Sequence, residues 1–331
     1  MAINNWYKPL ALEEYSERFK EFFKFKREDG ILEVKMHTKG GPVKWSYQMH
    51  HALAELWQVI GHDKKNEVII LTSSGDKWIN EWDVESFKEI EQSPDDDARY
   101  DVQIYDTLKI VENFVNDIEV PTIAAINGPG IHWEMCMMSD ITLCTPDFVL
   151  QDDHFGMDSG HVPGDGMGMC LQEILGIKRG NYAMLTCQSF SAEECLRLGA
   201  VNEVVEREDI VDRAWALARG IMKKSRSCRR MTHYIAVRPW KAVIERDFRI
   251  HVLSEMYSFN LSASEHDFEY IAYDENKKAQ VDYTEAQLNG MVEADVVKLA
   301  KDMRLDASVN DLKADTIAKI LAKQNEYYKR D

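Results

Sequence analysis

The feature that most constrains this chain is a short apolar run, TIAAIN at 122–127, that stops at the breaker Asn127-Gly128-Pro129-Gly130. It is too short for a helix and too apolar to leave one face in water. It therefore predicts a strand buried on both faces, in a sheet covered by helices. EVIILTS at 67–73 repeats the pattern and closes on the turn SSGD, while ILEVKMHT at 31–38 alternates as a strand does. Between these runs, 46–61 has helical apolar spacing and ends on Gly61, a predicted C-cap. A long amphipathic helix is predicted over 98–118, a helix over 133–140, short strands over 141–153 and mostly helix from about 166. Strand–helix alternation of this kind reads as an α/β fold. Residues 1–30 read as a polar, aromatic helix or lead-in. From Ser262 onward the chain has one Gly, no Pro and many charges, which predicts a C-terminal helical extension over 261–331.

Charge narrows the partners. Fifty-seven acidic residues against 40 Lys plus Arg give a net charge of −17, which repels nucleic acid and anionic membranes. The densest basic run, KKSRSCRR at 223–230, reads as a solvated helix face. The cysteines at 136, 144, 170, 187, 195 and 228 contain no CxxC pair, so reduced, buried thiols are expected. The N-terminus lacks the pattern of a secretory signal. No apolar run approaches the ~20 residues that span a bilayer. A soluble, cytoplasmic protein is the expectation.

Several stretches, in order, resemble the crotonase (enoyl-CoA hydratase/isomerase) superfamily. VIILTSSGDKWINEWDVESF (68–87) is similar to its first strand and oxyanion loop. PTIAAINGPGIHWEMCMMSDITLCTPDFVLQ (121–151) is similar to its second loop, helix and strands. GHVPG (160–164) is similar to its Gly-x-x-Pro-Gly turn, and the segment 181–206 to the one that follows it. The resemblance implies the crotonase ββα-superhelix core over 31–205. It also implies a helical region over 206–260 that covers the active site and makes trimer contacts, with homotrimers or dimers of trimers as the assembly.

The departures are informative. Asn80 and Glu81 stand where the acyl-CoA members carry small residues in the first loop, and His132 and Trp133 replace glycines in the second. Small residues there let backbone N–H groups reach a thioester carbonyl. One hydratase glutamate is retained as Glu134, while the other has become His154. This pattern resembles the β-diketone hydrolase branch typified by 6-oxocamphor hydrolase, whose members cleave a carbon–carbon bond by a retro-Claisen reaction without CoA or another cofactor. The matching positions are Trp45, His50, His132, His154, Asp165 and Glu255, with Ser254 where the branch has histidine.

The chemistry the resemblance implies needs a base near neutral pH, an oxyanion site and a proton for the departing carbanion. His154 is the expected base, oriented by Asp165. His132, near a helix start, is the expected neutral donor to an oxyanion or enolate. Glu255 is the expected proton donor. Trp45, His50, Glu134, Trp82 and Trp133 are the expected substrate-binding residues, with Trp78, Met135, Met157 and Met167 nearby to suit a bulky alicyclic diketone. No local spacing of a metal site accompanies them. Two other readings stand beside this one: an acyl-CoA hydratase, isomerase or thioester hydrolase, which Glu134 favours, and a non-catalytic scaffold.

Overall fold

The computed structural model describes residues 8–156, 160–262, 283–303, 305–308 and 310–327. The chain divides into two compact units, residues 1–277 and 278–331. In the first unit the strands are β1 (Phe23–Glu28), β2 (Ile31–Met36), β3 (Lys44–Trp45), β4 (Val68–Ser73), β5 (Glu81–Trp82), β6 (Thr122–Ile126), β7 (Ile141–Cys144), β8 (Val149–Leu150), β9 (Phe190–Ser191) and β10 (Glu203–Val204). Six of them form one sheet in the order β1-β2-β4-β6-β7-β10. All neighbours are parallel except the hairpin β1–β2. Its two turn residues, Asp29 and Gly30, both have positive φ (49° and 86°), which suits the right-handed twist of a tight hairpin.

Every residue of β4 and β6 is buried. Alternate side chains serve two cores, because successive residues of a strand face opposite ways. Ile69 and Leu71 join the core that includes Leu53, Trp57 and Phe114. Val68 and Ile70 join a second core with Ile210, Ala214 and Trp215 of the helix Ile210–Met222. This two-sided covering is why the strands read as continuous apolar runs.

Four sequence expectations need correction. Residues 1–30 hold strand β1 as well as a helix, Leu12–Arg18. The helix predicted over 98–118 is interrupted by a π-helical turn, Asp101–Asp106, before Thr107–Asp117. Gly61 is not a cap but lies inside the helix Tyr47–His62, where a Cβ would sit 2.3 Å from the Asp117 carbonyl oxygen. Its role is close helix approach. The basic run is not simply solvated, since Arg229 is buried and Arg226, Arg229 and Arg230 converge on Glu67 at 2.9, 2.6 and 3.6 Å. Among the cysteines all six are free, but Cys187 is half-buried and Cys228 exposed.

The second unit is helical. Glu285–Gly290, Glu293–Asp302 and Lys313–Tyr327 enclose a small core of Leu288, Val296, Val297, Ala300, Ile317 and Ile320. Thr284 and Gln287 form a capping box at its start. No helix among the described residues is long and apolar enough to cross a membrane.

Candidate active site

The crossing of the two loops builds the site. The short parallel pair β3–β5 sets Trp45 beside Trp82 in register. The loop after β4 then pairs with the loop after β6: Trp78 N–H donates to the Pro129 carbonyl (2.8 Å), Ile131 N–H to the Ile79 carbonyl (3.3 Å), and the Trp78 indole to the His132 carbonyl (3.0 Å). His132 is held with φ of 58°, the left-handed region that a non-glycine residue adopts only when its surroundings enforce it. Its ring lies stacked on Trp45 at 4.2 Å and edge-on to Trp82 at 5.0 Å.

Two histidines and four carboxylates meet behind this aromatic wall. His132 Nδ1 is 3.1 Å from Glu134 Oε1 and 3.4 Å from Asp165 Oδ2. His154 Nδ1 is 2.9 Å from Asp152 Oδ1, and its Nε2 is 3.7 Å from Glu255 Oε1. Asp165 Oδ1 accepts from the Met167 N–H at 3.1 Å. Glu255 is brought in by the helix Arg249–Ser262, which packs directly on Gly164. A Cβ at that position would sit 2.2 Å from the His251 carbonyl oxygen and 2.5 Å from the Glu255 Cβ, so the Pro-Gly-Asp-Gly turn needs glycine there for backbone contact rather than for the turn alone.

Burial and charge set the proton positions. Burial alone disfavours charge on His132, but Glu134 and Asp165 outweigh it and push the imidazole up to about 9. His132 is therefore a cationic donor at neutral pH, not the neutral one expected. His154 is likewise pushed down by burial and raised well above its ordinary range by Asp152, Asp165 and Glu255. Burial and the Asp165 charge raise Glu255 to about 8, and burial raises Glu134. Asp165 resists its own burial because His154 and His132 hold its carboxyl well below the usual carboxylate range. His50 goes the other way: burial and the neighbouring His132 lower it to about 3, so it is neutral, edge-on to Trp45 at 5.6 Å and 3.3 Å from Thr107 Oγ1.

The structure thus gathers Trp45, His50, Trp82, His132, Glu134, His154, Asp165 and Glu255. It does not gather Trp133, which is buried against Trp78 (6.5 Å) and Phe148 (4.8 Å) as part of the core. Met135 and Met167 are also core, and Met157 lies outside the described residues. Ser254 Oγ donates to the Ile250 carbonyl of its own helix. The carboxylate hydrogen-bonded to His154 is Asp152 rather than Asp165. Asp152 was missed by sequence reasoning, although an Asp two residues ahead of the histidine, placed to accept its N–H, is a recognisable local signal. Four atoms of the cluster are buried with no hydrogen-bond partner among the described residues: His132 Nε2, Glu134 Oε2, Asp152 Oδ2 and Glu255 Oε2.

Ligand-type atoms gather in two overlapping triads, His132/Glu134/Asp165 and Asp152/His154/Asp165, each with its atoms within 4.8 Å of one another. Two of their N–O separations, His154–Asp152 at 2.9 Å and His132–Glu134 at 3.1 Å, are hydrogen-bond lengths, and His132–Asp165 at 3.4 Å is an ion-pair contact.

The model of the enoyl-CoA hydratase/isomerase family matches residues 26–283. The chain belongs to that family, and its fold is the crotonase fold. A beta-diketone hydrolase from the cyanobacterium Anabaena sp. PCC 7120, solved with (S)-3-oxocyclohexyl acetic acid bound, is similar at 31% identity and a TM-score of 0.69. That comparison covers 76% of this chain and 99% of the other. An enoyl-CoA hydratase/isomerase from Mycobacterium paratuberculosis superposes at a TM-score of 0.66 with 23% identity, covering 72% and 94% of the two chains. The carnitinyl-CoA dehydratase of Salmonella enteritidis is 30% identical over 179 residues, which span 53% of this chain and 64% of that protein.

Proposed function

We propose that this protein hydrolyses a carbon–carbon bond of a cyclic or bicyclic β-diketone by a retro-Claisen reaction, giving a keto acid. The observation that carries the reading is a buried histidine, His154, clamped by a carboxylate, opposite a second, cationic histidine under an aromatic wall. In its unprotonated form His154 takes a proton from water, and the hydroxide oxygen bonds to one carbonyl carbon. The His132 imidazolium stabilises the oxyanion. The bond to the carbon between the carbonyls then breaks, its electron pair passes into an enolate on the second carbonyl, and Glu255, raised to about 8 by burial, delivers the proton to that carbon. Trp45 and Trp82 supply flat apolar walls for a ring. The keto acid bound by the Anabaena enzyme is of the class that ring-opening of a bicyclic β-diketone yields, which supports the substrate class. Exposed apolar residues on the helix Ile177–Thr186, among them Ile177, Tyr182 and Leu185, offer a surface for the homotrimer.

A second reading, an acyl-CoA hydratase or dehydratase, draws on the buried Glu134 and on the dehydratase relatives. A panel assay separates the two. Wild-type protein converts a bicyclic β-diketone to a keto acid, seen by mass spectrometry, and His154→Ala lowers that rate by roughly 10²–10⁴-fold. Turnover of crotonyl-CoA with inert diketones establishes the second reading instead.

A further inference from the structure

We propose that Asp152 is the positioning residue of His154, fixing its ring with hydrogen on Nδ1 so that Nε2 is the nitrogen that meets water, while Asp165 serves His132. This assignment rests on the reading of His154 as the base. A single oxygen, Asp152 Oδ1, accepts both the backbone N–H of His154 (3.1 Å) and its ring Nδ1–H (2.9 Å). A carboxylate has no hydrogen to give, so the second contact fixes where the ring hydrogen sits. The other oxygen, Oδ2, is buried with no hydrogen-bond partner among the described residues, and the residue is 5% exposed. Both hydrogen bonds to this carboxylate come from His154 itself.

The local chain is built to hold that pair. Leu150 at the end of β8 is in register with Phe190, and the Gln151 amide donates to the Cys187 carbonyl at 2.9 Å. His161 N–H donates to the His154 carbonyl at 2.8 Å. The backbone on both sides of the histidine is therefore pinned, and the Asp152 contact removes the remaining freedom of its ring. Asp165 is committed elsewhere: Oδ1 to Met167 N–H at 3.1 Å and Oδ2 toward His132 Nδ1 at 3.4 Å. From the Pro-Gly-Asp-Gly turn Asp165 faces His154 as a charge, and from the late helix Glu255 lies 3.7 Å from its Nε2, beyond hydrogen-bond length, so neither is a hydrogen-bonded orienter.

The test uses full-length protein labelled with ¹⁵N, first without substrate. Above the His154 titration midpoint, the ring nitrogens are expected to show hydrogen on Nδ1 in the wild type and in Asp165→Asn. Asp152→Asn is expected to populate the other tautomer and to lower the midpoint by more than Asp165→Asn does. With a bicyclic β-diketone, Asp152→Asn should lose tenfold or more in kcat with KM within about twofold, and Asp152→Glu should recover part of the loss. Should Asp152→Asn not fold, Asp152→Ser is read in the same way. An unchanged tautomer and midpoint in the Asp152 variants, with both moved by Asp165→Asn, overturns the assignment. A moved tautomer in a protein that turns over no diketone keeps it and sinks the retro-Claisen reading instead.

Discussion

Two buried charge clusters in this molecule follow opposite rules. Around Glu67, three guanidinium groups surround one carboxylate, and both of its oxygens are engaged. Around Asp165, four carboxylates face two imidazoles, and three of those carboxylates each keep an oxygen with no hydrogen-bond partner among the described residues. The first balances charge with permanent cations, since arginine does not release its proton. The second balances it with movable protons on groups driven far from their ordinary pKa values, as expected of acid–base machinery. The lesson is that charge count alone does not mark a site. What marks it is that its partners can take up and release protons near neutral pH, since both clusters carry an excess of one sign and buried atoms without a partner among the described residues.

The sharpest way to break this contrast is to remove one cation from the first cluster. Arg229→Ala leaves Glu67 Oε2 without its partner while Arg226 and Arg230 stay on Oε1, and should cost roughly 3 kcal/mol of stability, read as a fall in thermal midpoint, with diketone turnover at 25 °C little changed in the folded fraction. A loss of turnover beyond the folded fraction would mean that the two clusters are not separate in function. Glu255→Gln should do the reverse. The folded carboxyl titrates at about 8 against an ordinary 4.5, so between those values the unfolded chain ionises while the folded one does not. Wild-type stability therefore falls as pH rises through that window, and the neutral amide escapes the loss. The variant should be more stable by about 4 kcal/mol near pH 8, match the wild type near pH 4, and lose activity. Equal melting curves at both pH values would show Glu255 to be ordinarily ionised. The smallest effect is in the pH profile. Because His154 is held protonated well above the usual histidine range, kcat/KM should climb about tenfold per pH unit on the acid side. It should turn down above about 8, where Glu255 loses the proton it donates, and more steeply above about 9, where His132 loses its own. A plateau already reached at pH 6 would count against His154 as the base.

Much of this was written locally in the chain. The runs of β4 and β6 gave their burial away because both faces are covered, and the residues of the cluster other than Asp152 lie on motifs readable one segment at a time. What was not legible depends on distance. Glu67 and the arginines that meet it are about 160 residues apart, so the basic run looked like a solvated face. Trp133 looked like a pocket wall because it adjoins His132, yet the left-handed backbone at His132 turns one ring to the cluster and leaves the other in the core. The protonation of His132 depends on Glu134, two positions on, and also on Asp165, 33 positions away by numbering, and no spacing rule announces the second. Strand β1 is a different case: its alternating FKFKRE and Asp-Gly turn were local signals that the aromatic, polar lead-in obscured.

The seating of the late helix on Gly164 also sets an order of assembly. The sheet is complete once Val204 has been made, and the helix Ile210–Met222 supplies the rest of the second core, so both precede Glu255 in synthesis. Until the helix Arg249–Ser262 arrives, Asp165 and His154 are without the element that carries Glu255 and packs on their turn. Synthesis thus supplies the sheet before the helix that completes the reactive centre, so the costliest desolvation falls at a stage when a framework is already there to bear it.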